Sequence, residues 1–412
     1  MIPASLSSLT PDGWLLFLTR LARLFSYGAL SVVLVLYLTG IGLTASESGT
    51  LLTLTLLGDT AVSLWLTTRA DRAGRRRTLI VGALLMAGAG AIFAATRNPL
   101  LLFVAGTVGV ISPSGNEVGP FLSIEQAALS QVVPVRLRTE VFAWYTLTGA
   151  FATALGSLFA GLLAATLHKT GATSTNSQRA VLILYAAMGL VLAALFWRLS
   201  PSAEAPWEAR SQAPDRFGLG PSRGAVFKLS SLFALDAFGG GFVIQSFAAY
   251  WFHLRFGVDA AMLGGVFFGA NLFAALSALA ASRLAARLGL VNTMVFTHLP
   301  SNILLILVPL MPTLPLAVLM LLLRFSISQM DVPTRQSYTM AIVRPEERSA
   351  AAGVTGVART TGAAMAPTFA GILLNHAGWI AVPFYIAGLC KIGYDLLLYR
   401  AARELPRPDV GR

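Results

Sequence analysis

The chain has 412 residues, of which 56% are hydrophobic and only 12% charged, with a formal net charge of +12. A soluble protein carries about a quarter charged residues. The deficit, with a mean hydropathy of +0.71, excludes an ordinary soluble domain and indicates an all-α integral membrane protein. The basic surplus does not mark a nucleic-acid binder, because the basic residues sit at the ends of apolar stretches.

The single cysteine, Cys390, excludes a disulfide framework and a multi-thiolate metal site. His168, His253, His298 and His376 show no ligand spacing, so neither a metal nor a cofactor is expected. The opening "MIPASLSSLTPDG" has no basic leader. The first apolar segment is therefore expected to remain as an uncleaved helix.

A helix crossing a bilayer needs about 20 mainly apolar residues. In chain order the candidates are 14–39, 47–68, 78–96, 99–132, 140–167, 179–199, 226–253, 259–283, 290–310, 313–342, 349–375 and 378–400, about twelve in all. The fourth and tenth are longer than a crossing requires, so their ends are expected to leave the bilayer. With the N-terminus inside, twenty Lys and Arg fall in inside-facing loops, linker and tail. Only Arg97, Lys169, Arg179 and Arg255 fall outside. By the positive-inside rule this bias predicts both termini in the cytoplasm.

The stretch "SPSAEAPWEARSQAPDRFGLGPSRG", 200–224, is rich in Pro, Gly, Ser and charge and reads as a linker. It divides the chain into 1–199 and 225–412, about six segments each. The halves look like copies. Arg138 and Gln126 recur as Arg348 and Gln336 at an offset of 210, and Arg72 and Gly74 fall on Arg287 and Gly289 at 215.

Between the second and third segments runs "TTRADRAGRRRTL". It resembles the signature turn of the major facilitator superfamily, G-x-L-x-D-R-x-G-R-[RK], through Asp71, Arg72, Gly74, Arg75 and Arg76, with Thr67 where the family usually has glycine. The resemblance implies two pseudo-symmetric six-helix bundles that alternate access to a central site. For Asp71 it implies a gating role. Arg75, Arg76 and Arg77 are expected only to anchor the turn on the inner side. "AAMAP", 363–367, with Pro367, loosely resembles the Gly-Pro motif of the family's antiporters and points outward. The fourth segment lacks the arginine usual in proton-coupled exporters of the family.

Charge at the bilayer centre is costly and usually paired or functional. Asp59, Glu117 and Asp236 are the candidates for proton coupling. Asp331 and Arg335, four apart, are expected to pair, and Arg335 is the repeat partner of Glu125, so an ion pair of Glu125, Asp331 and Arg335 across the cytoplasmic side is expected. Pro333 is expected to bend the tenth helix. Arg324, deeper, either pairs with Asp236 or faces substrate. Lys391 and Asp395, four apart, are expected to neutralise each other, and Arg20 and Arg23 to snorkel to the headgroups. Tyr37, Tyr250, Arg324, Arg359 and Lys391 are the candidates for lining a substrate cavity.

The reading that leads is a secondary active transporter, proton-coupled and exporting drug-like or toxic compounds, a monomer in the inner cell membrane. Its partners are the lipid bilayer, a small molecule and protons. The intramembrane cations allow a rival, import or exchange of organic or oxyanionic anions. A receptor on the same fold is a third reading. No Gly-Lys phosphate loop, GxSxG elbow or metal-ligand cluster points to an enzyme.

Overall fold

Apolar chain in a bilayer must satisfy its own backbone polar groups, and a helix does so within one segment. A computed structural model describes residues 4–7, 9–134, 137–204, 220–344 and 347–402, and their secondary structure is helical. Arg136, Arg210, Arg216, Arg403, Arg407 and Arg412, which contribute to the charge bias, lie outside the described residues, as does most of the linker, 205–219.

The first half comprises α1 (Pro11–Gly40), α2 (Ala45–Ala73), α3 (Arg75–Ala95), α4 (Pro99–Val108), α5 (Phe121–Val132), α6 (Arg138–Lys169) and α7 (Ser174–Trp197). The second comprises α8 (Arg223–Gly241), α9 (Gln245–Phe256), α10 (Ala260–Leu288), α11 (Leu290–Leu307), α12 (Leu314–Ser328), α13 (Asp331–Ile342), α14 (Arg348–Leu374) and α15 (Val382–Ala401). Side chains cap several starts: the Thr10 hydroxyl accepts from Gly13 N at 3.2 Å, and Asn98 accepts from Leu100 N at 2.9 Å.

Ten spans among the described residues are long and apolar enough to cross a membrane. α14 adds 27 residues of small, less hydropathic side chains, and the fourth segment is split between α4 and α5. The twelve-crossing pattern is therefore kept, and its two overlong segments are each broken into two helices. The fourth opens between α4 and α5, where Gly115 (φ +72°) and Gly119 (φ +79°) turn the chain. The tenth opens at Gln329 and Met330, and Pro333 then sits in the first turn of α13, where its missing N–H costs nothing. The seventh breaks after the Gly239–Gly241 run, between α8 and α9.

The described chain forms two compact units. Unit 1 holds Met1–Thr44, Leu57–Ala213 and Gly257–Phe268, and unit 2 holds Ala45–Leu56, Pro214–Phe256 and Gly269–Arg412. In unit 1, α1 packs on α6, and α3 on α7. The same pairing recurs in unit 2, where α8 packs on α14 and α11 on α15, so the internal duplication extends to packing.

Small residues permit these approaches. A Cβ on Gly156 would strike the backbone of Phe25 and Ala29, and one on Gly362 the backbone of Ala234. Large apolar side chains such as Trp65, Leu100, Trp197, Phe296 and Leu389 are exposed, the surface that a hydrocarbon solvent requires.

The turns that begin α3 and α11 match in backbone as well as sequence. Gly74 (φ +100°) and Gly289 (φ +81°) each immediately precede their helix, a conformation open to glycine and strained for other residues.

Candidate functional site

Each unit buries one network of charged side chains. In unit 1, α1 brings Arg20 and Arg23 onto one face by their spacing of three. Arg23, with no exposed surface, donates to both oxygens of Glu125 at 2.6 and 2.7 Å and to Glu117 at 3.3 Å. Arg20 pairs with Glu117. Glu125 also accepts from Thr19 Oγ1 at 2.9 Å and from the Tyr145 hydroxyl. The guanidinium of Arg20 lies 4.3 Å from the Tyr145 ring centroid, and that of Arg23 4.8 Å from that of Phe121. Two cations meet two anions, and the network is closed.

This corrects one expectation. Arg20 and Arg23 do not snorkel, because Glu117 and Glu125 pair with them inside the unit. Within unit 1, Glu125 is engaged by Arg23.

In unit 2, Asp236 of α8 is the hub. Its carboxylate meets Lys391 Nζ at 2.6 Å, Arg335 Nη1 at 3.2 Å and His298 Nε2 at 3.6 Å. Arg335 bonds Asp331 at 2.9 Å across one turn of α13, as the spacing of four predicts. His298 Nδ1 lies 2.8 Å from Asp395, and Asn302 donates to the other oxygen of Asp395 at 2.9 Å. Asp236, His298, Asp331, Arg335, Lys391 and Asp395 are all buried. Lys391 therefore pairs with Asp236 rather than with Asp395, because His298 and Asn302 take the latter.

Three ligand-type atoms, from Asp236, His298 and Asp331, fall within 4.8 Å of one another. Lys391 and Arg335 already neutralise those oxygens, so the cluster fits an ion network and not a metal centre.

The remaining candidates are placed as follows. Asp59 accepts from Gly119 N at 2.7 Å and Ser63 Oγ at 3.3 Å, which ties α2 to the break in the fourth segment. Arg324 and Arg359 each bury an Nε with no hydrogen-bond partner among the described residues. Tyr37 is fully buried and donates to the Phe93 carbonyl at 2.8 Å, so it is a packing residue and lines no cavity. Tyr250 is partly exposed on α9.

At the α2–α3 turn, Arg75 does more than hold the turn in place. It is buried, and it bonds Asp71 at 2.7 Å, Gln131 at 2.8 Å and the Ala203 carbonyl at 3.3 Å. Glu204 caps α3, accepting from Arg75 N at 2.7 Å and Arg76 N at 3.2 Å. Arg76 reaches the Leu199 carbonyl at 3.3 Å, Asp71 is about half exposed, and Arg72 is exposed and makes a contact of its own.

In unit 2, Glu347 accepts from Gly220 N, and from Ser222 N at 3.2 Å, in the turn ahead of α8. Hydrogen bonds from Ser222 chiefly, then from Gly220, and the charge of Arg344 hold the Glu347 carboxyl below the usual carboxylate range, against a smaller opposing effect of burial.

Sequence reasoning passed over His298, Asn302, Glu204 and Glu347. For the first two a signal existed: a histidine and an asparagine four apart inside the apolar run "VFTHLPSNILLIL" are expensive unless partnered.

Comparison with known proteins agrees with this architecture. The chain is 32% identical over 414 residues to a yeast protein, uncharacterized membrane protein YJR124C of Saccharomyces cerevisiae, covering 93% of this chain and 92% of that one. Among solved structures it resembles the nucleoside transporter NupG, with TM-score 0.69 and 14% identity over 96% of this chain and 99% of that one. A bacterial homologue of the human lysosomal transporter Spinster gives TM-score 0.69 and 17% identity over 95% and 96%. The human organic anion transporter MFSD10 gives 0.61 and 17% over 94% and 100%. Residues 16–367 match the family model described as Major Facilitator Superfamily. With its two pseudo-symmetric six-helix bundles and about twelve membrane-spanning segments, this chain belongs to the major facilitator superfamily of transporters.

Proposed function

We propose that the protein is a proton-coupled secondary active transporter that moves a small organic molecule by alternating access between the halves 1–199 and 225–412, with both termini cytoplasmic. The observation that carries the coupling is the buried chain Lys391–Asp236–His298–Asp395. A carboxylate gains a proton readily when its cationic partner withdraws and releases it when that partner returns. Asp236, with three cationic or titratable partners on three helices, changes its company whenever those helices shift. Asp59 and Glu117 are the second-rank candidates. Asp59 is fixed by hydrogen bonds only, and Glu117 is shared between two arginines.

Asp71 is proposed as a gating residue and Arg75 as the post on which the α2–α3 turn is built. Outward transport is proposed from the small-residue run ending at Pro367, which lies inside a continuous α14.

The test is proton flux in proteoliposomes loaded with a pH-sensitive dye. Benzoate, phenylphosphate and tetraphenylphosphonium are added in turn as anionic and cationic probes. The reading requires proton movement with at least one probe, abolished in Asp236→Asn. Probe transport that moves no protons refutes the coupling.

A further inference from the structure

The two networks differ in their charge balance. Unit 1 sets Arg20 and Arg23 against Glu117 and Glu125, and each charge has a partner. Unit 2 sets four cations, Arg324, Arg335, Arg359 and Lys391, against three carboxylates, Asp236, Asp331 and Asp395. Arg335 and Lys391 use Asp236 and Asp331, while His298 and Asn302 use Asp395.

Arg324 and Arg359 are left over. No ion pair or hydrogen bond is made by either guanidinium among the described residues, and the Nε of each is shielded from solvent. Both stand within electrostatic reach of the same two carboxylates, Asp236 and Asp331. Both side chains are only partly buried, so their guanidinium ends remain open to a ligand, and the cluster's four cations outnumber its three carboxylates by one.

Uncompensated charge in such surroundings is costly. A guanidinium, with its donors in a planar fork, matches a carboxylate or a phosphate in two parallel bonds. We propose that Arg324 and Arg359 bind the oxyanion of the transported molecule, a carboxylate or phosphate carried either by a soluble metabolite or by a lipid headgroup. This deepens the transporter reading and rests on it. The balanced network of unit 1 needs no ligand to complete it, while the unbalanced one of unit 2 is completed by substrate.

The test uses the purified full chain in phosphatidylcholine nanodiscs and reads thermal unfolding with benzoate, phenylphosphate, benzylamine and benzyl alcohol. The expected result is a rise of about 2–4 °C or more with benzoate or phenylphosphate and none with the amine or the alcohol. The rise is lost in Arg324→Gln and Arg359→Gln. It is kept in Arg179→Gln, a control in α7 whose Nε is also without a partner.

A second readout needs no ligand. Removing an uncompensated charge leaves the melting temperature of the unliganded protein unchanged or raised in Arg324→Gln, whereas Arg335→Gln lowers it. Phosphatidylglycerol in the nanodisc that raises wild-type stability and occludes the probe identifies a lipid headgroup as the source. Persistence of the soluble probe's effect identifies a soluble anion. The proposal is overturned if Arg324→Gln destabilises the unliganded protein as much as Arg335→Gln does. It is equally overturned if the anion response survives in both variants, if neither anion acts, or if benzylamine stabilises as well as benzoate. Binding is read without transport, so this result and the proton-flux result fail independently.

Discussion

Replacing Arg23 by methionine isolates the worth of the unit 1 network. The substitution removes two bonds to Glu125 at 2.6 and 2.7 Å and two to Glu117 at 3.3 Å. It keeps most of the apolar stem. Glu125, fully buried, then retains only the Thr19 and Tyr145 hydroxyls. Removing one partner of a buried pair costs about 3–5 kcal/mol, mostly because the other charge stays buried and uncompensated.

At about 2–4 °C per kcal/mol for a unit of this size, Arg23→Met is expected to lower the apparent melting temperature by about 6–20 °C. Adding Glu125→Gln neutralises the stranded acid and leaves an amide for both hydroxyls, so the double variant is expected to recover most of the loss. A double-mutant cycle by fluorescence-monitored unfolding reads the coupling directly. If Arg23→Met costs no more than Arg97→Met, a substitution at an exposed position, or if Glu125→Gln adds its own loss instead of restoring stability, the network is not what holds α1 against α5.

Alanine at Gly74 or Gly289 should cost about 1–3 kcal/mol by backbone strain alone. A Cβ meets Glu204 at an ordinary 3.5 Å in the first case and nothing in the second, so similar losses at both turns in a melting assay are expected. Glu204→Gln weakens the cap of α3 and should speed amide hydrogen exchange at Arg75 and Arg76 while leaving α11 unchanged. Glu347 carries a folded-state carboxyl lowered from 4.5. Its contribution is therefore present above that unfolded value and lost as pH falls through the lower folded one. Stability measured from neutral to acid pH should fall less steeply below about 4.5 in Glu347→Gln than in wild type.

The sequence made the helical pattern, the duplication and the α2–α3 turn legible because each rests on local chemistry: hydropathy, turn glycines and arginine placement. Asp331–Arg335 was legible for the same reason, since a spacing of four fixes the geometry. Partnerships between helices were not. Glu125 found Arg23, Lys391 found Asp236, and Asp395 found His298, because helix rotation decides which polar groups face one another and the apolar stretches carry little periodic signal. Glu204 and Glu347 were overlooked for a different reason. Glu204 caps the start of α3 and Glu347 holds the turn ahead of α8, and partners so distant in sequence are announced by no spacing. The breaks in the fourth, seventh and tenth segments were foreshadowed by glycine, proline and excess length, but not their role of opening backbone N–H groups such as that of Gly119 to a buried acid.

The most direct test of the central claim compares two modes of transport in proteoliposomes containing wild type and Asp236→Asn. Uptake of a probe driven by a pH gradient requires the proton carrier, whereas exchange of labelled for unlabelled probe across the same membrane does not. The account predicts that Asp236→Asn loses gradient-driven uptake and keeps exchange. Gradient-driven uptake that persists in Asp236→Asn would contradict it.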